Sequence, residues 1–186
     1  MSSPIAHTAI AYAVYNIFRR QLPAETVCGI PARIGWPLAV IILCMLPDLD
    51  TLVAWTFGSL ERFHNNLSHS LLIGAMAPLL LAPLLRIVTK ISMKTTLRLI
   101  LACGFSHILI DLFTMGRGVM LFWPWTSIRF HAPISLFVGV PWSSKLTSPL
   151  YFLSAVNDLC FAVAIVALVK AVHLHSDKVR DNTVSL

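Results

Sequence analysis

Residues 36–50 read WPLAVIILCMLPDLD, an apolar run that closes on two aspartates. Carried on to residue 57, the run reaches the ~20 residues that a helix needs to cross the hydrocarbon core of a bilayer. It therefore predicts a membrane span. Pro47 removes a backbone donor and clashes with the turn before it, so the span should kink or restart there. That would leave Asp48 and Asp50 on an irregular stretch from which both can reach one site. One of them can cap a fresh helical turn, but two beside a proline in an apolar run exceed what capping requires.

The rest of the chain has the same character. Of its 186 residues 57% are hydrophobic and 12% charged, and the mean hydropathy is +0.79, well outside the range of soluble globular domains. Further apolar segments occupy residues 67–88, 97–115 and 150–172, and a shorter one runs from Pro4 to Phe18, reaching only ~22 Å as a helix. The expected fold is all-α, a polytopic membrane helical bundle of about four transmembrane helices plus a short N-terminal helix. Its length suits a single membrane-embedded metal-binding domain over residues 1–176, with a flexible tail at 177–186 and no separate soluble catalytic module.

The first twenty residues lack a basic region ahead of the apolar stretch and carry His7 within it, so they are expected to belong to the mature fold. Cys28, Cys44, Cys103 and Cys160 are far apart without CxxC spacing and read as small hydrophobes. Glycine and proline gather in 23–37 and 116–149, the two long connections. The second holds Trp123, Trp125 and Trp142, as an interfacial belt would.

The formal charge of +6 comes without a basic stripe of interleaved aromatics, so no nucleic-acid partner is expected. Charge bias across the membrane explains it. Arg86, Lys90, Lys94 and Arg98 fall between the second and third spans with no acid among them, which marks that connection as cytoplasmic. Threading from there puts Arg19, Arg20, Arg33, Lys170, Lys178 and Arg180 on the same side, leaving only Arg62, Arg117, Arg129 and Lys145 outside. The expected location is the inner (cytoplasmic) membrane, with the candidate site toward its outer half.

An ionisable residue inside a span costs at least ~2.5 to 3.5 kcal/mol on insertion scales and asks for a functional reason. This chain has eight acids, and Asp48, Asp50, Asp111 and Asp158 all lie in apolar runs. In CGFSHILIDLF, residues 103–113, His107 and Asp111 are four apart and share a helix face. In HNNLSHS, residues 64–70, His64 precedes Asn65 and Asn66, which read as caps for the second span, with His69 in its first turns. His7 starts the short first helix, whose other end is marked by Arg19 and Arg20. On the topology drawn from lysine and arginine, His7, Asp48, Asp50, His64, His69, His107 and Asp111 all fall in the outer half. Four histidines and three carboxylates exceed one tetrahedral site and suit two neighbouring divalent ions, zinc first, with manganese or iron also compatible. Any carboxylate not needed as a ligand, Asp48 or Asp50, would serve as general base or orienting group.

These residues, in this order, resemble the YdjM-type family of inner-membrane metal-dependent hydrolases: His7-Thr8, Leu46-Pro47-Asp48-Leu49-Asp50, His64 with Ser68-His69-Ser70, and His107 through Asp111. The resemblance covers roughly residues 5–125, including Phe122-Trp123-Pro124-Trp125. It departs at Asn65-Asn66, where the family pattern has a basic and then a small residue. A more distant similarity, in the order His, Asp, His and HxxxD, is to zinc-dependent phospholipases C. The family name mentions LexA, but these residues suggest no contact with it. The resemblance implies hydrolase chemistry and leaves the substrate open.

The reading that results is a membrane-embedded, metal-dependent hydrolase acting on a phosphoester or ester of a lipid or amphiphile that enters from the bilayer. The alternatives are an intramembrane metal or proton transporter, since histidine and aspartate chains also serve as relays, and a non-catalytic protein with a structural zinc. Arg117 and Arg129 carry guanidinium forks suited to phosphate, although an arginine at headgroup level is the commoner use. Asp158, beside Asn157, is expected to hydrogen-bond between helices.

Overall fold

The computed structural model of the chain describes residues 3–58, 64–140 and 147–184, without the side chains of Trp55 and of 177–184. Arg62, Trp142 and Lys145, and the side chains of Lys178 and Arg180, lie outside the described residues. Among the described residues the helices are α1 (Pro4–Phe18), α2 (Ala32–Met45), α3 (Asp50–Thr56), α4 (Leu71–Thr89), α5 (Met93–Leu112) and α6 (Pro149–Val184), with 3-10 turns at Arg19–Gln21, Leu46–Leu49 and Leu67–His69. Among the described residues there are isolated β-bridges but no strand. Among the described residues four helical stretches are long and apolar enough to cross a membrane: Ala32–Ala54, Leu71–Thr89, Met93–Leu112 and Pro149–Ser176.

Local chemistry sets the boundaries. Ser3 caps α1 by accepting the Ile5 N–H, and Pro4 occupies the first helical position, where a missing N–H costs nothing. At Pro47 the first span tightens into a 3-10 turn before continuing as α3, as the loss of a backbone donor requires. The second span begins at Leu71, later than residue 67, because Ser70 is its cap: its Oγ accepts the Ile73 N–H at 3.2 Å. Asn65 and Asn66 are not caps of this span, and His69 sits in the 3-10 turn ahead of it. The third span begins earlier than expected, at Met93. Lys90 ends α4 in the left-handed conformation, and Ser92 immediately caps α5 by accepting the Thr95 N–H. Lys94 and Arg98 therefore ride on the first turns of a helix and not on a loop.

α1 packs against α2, α5 and α6, while α2 and α4 each pack against α5. Ala11, Val14, Phe18, Val40, Cys44, Leu99 and Cys103 form the apolar core where α1, α2 and α5 meet. Because successive spans run in opposite directions, the start of α1, the end of α2, the start of α4 and the end of α5 fall at one end of the bundle. Leu79, Leu80, Leu84 and Ile87 on α4 are exposed, as lipid-facing side chains are.

The segment after α5 folds back over that end. Val119 and Phe130 exchange two backbone hydrogen bonds of 2.9 Å, Leu71 N–H donates to Leu121 O at 2.9 Å, and Met120 N–H donates to Asn65 O at 3.3 Å. Gly118 makes the fold-back possible: its φ is +73°, and a Cβ there would lie 2.5 Å from Phe130 O. Arg129 donates to Gly118 O at 3.1 Å, to Asn65 O at 3.3 Å and to the Asn66 side chain. Its guanidinium thus ties the segment to the turn that carries His64. Asp158 on α6 accepts the Ser3 N–H at 2.9 Å, the interhelical bond expected of it, and joins α6 to the start of α1.

Candidate metal centre

The four helix ends gathered by the bundle, with the segments joined to them, deliver seven ionisable side chains to one place. α1 supplies His7 from its first turn, the 3-10 turn after α2 supplies Asp48, and α3 begins with Asp50. His64 and His69 arrive from the segment before α4, and His107 and Asp111 lie one turn apart near the end of α5. His7, His64, His69, His107 and Asp111 are buried, and Asp48 and Asp50 half-buried.

At the centre stand Asp48, His69, His107 and Asp111, which offer ligand atoms all within 4.8 Å of one another. His69 Nε2 is 3.0 Å from His107 Nε2, 3.1 Å from Asp111 Oδ2 and 3.6 Å from Asp48 Oδ1. His107 Nε2 is 3.4 Å from Asp48 Oδ1 and 3.6 Å from Asp111 Oδ2. Four donors placed tetrahedrally at the ~2.0 to 2.1 Å typical of zinc–nitrogen and zinc–oxygen bonds are separated by about 3.3 Å, and the observed separations straddle that value.

Hydrogen bonding supplies a second test of fit. His107 Nδ1 lies 2.7 Å from Cys44 O. Only an N–H can donate to that carbonyl, so the hydrogen-bond network assigns the proton to Nδ1 and leaves Nε2 with a lone pair facing the cluster. Pro47 prepares this contact, because the residue that would satisfy Cys44 O in a 3-10 turn has no N–H to give. His69 Nδ1 lies 3.3 Å from Asp50 Oδ2 and 2.9 Å from Ser68 Oγ, which turns its Nε2 to the same point. Histidines that hold metals characteristically donate their other N–H to a carboxylate or backbone carbonyl in this way. Asp48 Oδ1, buried between the two imidazoles, makes no hydrogen bond of its own.

Two nitrogen lone pairs 3.0 Å apart repel unless a positive charge lies between them. One way to supply it is a proton on His69. Burial alone would push that imidazole's pKa down, but the surrounding carboxylates of Asp111, Asp48 and Asp50 outweigh burial and raise it well above its ordinary value. The other way is a metal ion, for which the donors Asp48, His69, His107 and Asp111 fit.

The other residues surround this centre. His7 stacks on His107 with ring centroids 3.9 Å apart, and its Nε2 lies 3.5 Å from Asp111 Oδ1 and 3.9 Å from Asp48 Oδ2. It therefore faces the outer oxygens of both central carboxylates. Asp50 is the hub of a second layer: it meets His64 Nδ1 at 2.5 Å, the Asn65 N–H at 3.2 Å, His69, and the Ser68 hydroxyl. Thr51 Oγ1 adds a 3.1 Å contact to His64 Nδ1, while His64 Nε2 is buried without a hydrogen bond. Asp48, Asp50 and His64 also form a group close enough to hold an ion.

Sequence reasoning did not single out Ser68, Thr51 or the Cys44 carbonyl as parts of the site. Ser68, beside His69 in a polar turn, and Pro47, three residues after Cys44, were the available signals. Arg129 is engaged with backbone and Asn66, and burial and the nearby Arg117 lower its pKa from the ordinary value. His131 lies against Ala132 O at 3.4 Å and takes no part in the cluster.

A family profile described as YdjM inner membrane protein matches residues 1–177. The chain is similar to the inner membrane protein YbcI of Escherichia coli (strain K12), 34% identical over 125 residues that make up 64% of this chain and 70% of that protein. No solved structure matches it.

Proposed function

We propose that this chain, which belongs to the YdjM inner membrane protein family, is a membrane-embedded, metal-dependent hydrolase of a phosphoester or ester in a lipid or other amphiphile. The observation that carries the reading is the pair of imidazole Nε2 atoms 3.0 Å apart, with their outer nitrogens committed to Cys44 O and Asp50. Asp48, His69, His107 and Asp111 would hold one ion, most suitably zinc given nitrogen and oxygen donors without thiolate. A divalent ion in such a cage supplies Lewis acidity and a bound water acidic enough to be hydroxide near neutral pH.

The protein's own groups then divide the remaining work. Asp50 holds His69 and His64 in place and is too fully hydrogen-bonded to be a strong base, so its role is to orient. With an ion bound, His64 would be the residue to take up a proton from the attacking water: its Nδ1 is held by Asp50, and its Nε2 is buried without a hydrogen bond, as an oriented general base would be. His7 steadies the two ligand carboxylates. The reading sets this centre toward the outer half of the membrane, and the charge asymmetry of the connections supports it.

A relay for protons or metals needs ionisable groups spread across the span. Here the core toward the other end of the bundle is Ala11, Val14, Phe18, Val40 and Leu99, which favours the hydrolase over the transporter. The test is metal analysis and phosphoester hydrolysis on detergent-purified protein. The expected result is stoichiometric zinc in wild type, loss of zinc in His107→Ala and Asp111→Ala, and zinc kept with hydrolysis lost in His64→Gln. A wild type that stays metal-free after zinc supplementation would overturn the proposal.

A further inference from the structure

Beside the polar centre lies an apolar cavity of about 120 Å³ whose lining includes Pro47, Ser68, Gly74, Ala77, Gly104 and Ile108. It exists because α2 and α4 each pack on α5 without an extensive contact with each other, leaving a cleft floored by α5. Gly74 brings α4 close: a Cβ there would stand 3.3 Å from Ile108 Cδ1. Gly104 keeps the cleft open, since a Cβ at that position would meet nothing within 4 Å.

One end of the cleft abuts the centre through Pro47 and Ser68. Pro47 immediately precedes Asp48, and Ser68 donates to Asp50 and contacts His69. From that end the cleft follows α5 from Ile108 to Ile100, roughly 12 Å of helix rise. Apart from Ser68, its lining lies within three stretches able to cross a membrane, where the chemistry at hand is hydrocarbon. The volume is comparable to the ~150 Å³ apolar cavities that take up benzene, enough for a segment of one slender chain and too narrow for two.

We propose that this cleft is the substrate's chain subsite: a single alkyl or acyl chain lies between α2 and α4 on the floor of α5, and its polar end reaches the metal centre past Ser68 and Pro47. The substrate class is thus a lipid engaged through one chain, with the scissile ester next to that chain's polar end. This inference rests on the hydrolase reading for the chemistry, while the cleft can be tested without it.

The test is photolabelling of the purified full chain in detergent by dodecyl phosphate carrying a mid-chain diazirine, with sites mapped by mass spectrometry. Expected in wild type are adducts on the cleft walls around Ala77, Leu81 and Gly104. Gly104→Leu and Ala77→Leu, which fill the cleft from its floor and from its α4 wall, should each cut those adducts by about tenfold or more, overpacking being that costly. Labelling of lipid-facing Leu80 and Ile87 should not change. If Gly104→Leu does not fold, Ala77→Leu decides alone. Wild-type adducts spread evenly over lipid-facing residues, or cleft adducts unaffected in the folded variants, overturn the subsite. Cleft labelling without metal or hydrolysis would keep the subsite and remove the hydrolase; metal-dependent hydrolysis indifferent to both substitutions would do the reverse.

Discussion

Asp50→Asn separates the two aspartates of the Leu46–Leu49 turn and its successor by role. The substitution keeps size and shape but replaces a carboxylate that meets His64 Nδ1 at 2.5 Å, His69 Nδ1 at 3.3 Å and the Asn65 N–H at 3.2 Å. An amide offers one oxygen in place of two and presents N–H groups to a histidine that needs an acceptor. His69 would lose the partner that fixes its tautomer, while all four central donors would remain. Loss of such an orienting group typically costs about 10- to 100-fold in metal affinity, or about 1.4 to 2.7 kcal/mol. Asp48→Asn removes a donor and should cost more than that. The assay is competition for zinc with a chromophoric chelator in detergent, with each variant's helical content checked by circular dichroism. Equal losses for Asp50→Asn and Asp48→Asn in folded protein, or no loss for Asp50→Asn, would refute the division between ligand and orienter.

Metal affinity should rise with pH, because a ligand histidine must be neutral and His69 is held protonated well above its ordinary range by three carboxylates. The sign follows: zinc must displace a proton, so affinity climbs by about tenfold per pH unit for one proton displaced and levels off only above the raised pKa. Chelator competition that shows constant affinity from about pH 6 to about pH 8 would contradict this. Gly118→Ala places a methyl 2.5 Å from Phe130 O at a positive φ and should destabilise the fold-back over the site by about 1 to 3 kcal/mol. Faster proteolysis within residues 113–140, with the spans left intact, would register it.

The helical bundle was legible in the sequence because hydropathy over ~20 residues measures transfer into hydrocarbon, a property each segment has independently of the others. Pro4–Phe18 is a helix over the span its composition marks out, and Pro47 disturbs the first span where a missing N–H must. Boundaries set by a single hydrogen bond were not legible. Ser70, and neither Asn65 nor Asn66, begins α4, since a cap depends on which oxygen reaches an N–H once the turn has closed. The candidate site divides in the same way. The cost of burying ionisable groups singled out His7, Asp48, Asp50, His64, His69, His107 and Asp111 one at a time, and span direction put them at one end. Which of them face each other was decided only by packing. The Cys44 carbonyl that orients His107 belongs to a residue with no polar side chain to announce it, and Asp48 and Asp50, two apart in the chain, part company because a 3-10 turn aims one at the imidazole pair and the other behind it. The cleft beside them is likewise a product of tertiary structure, since a gap between α2 and α4 is a relation between helices that no one segment carries.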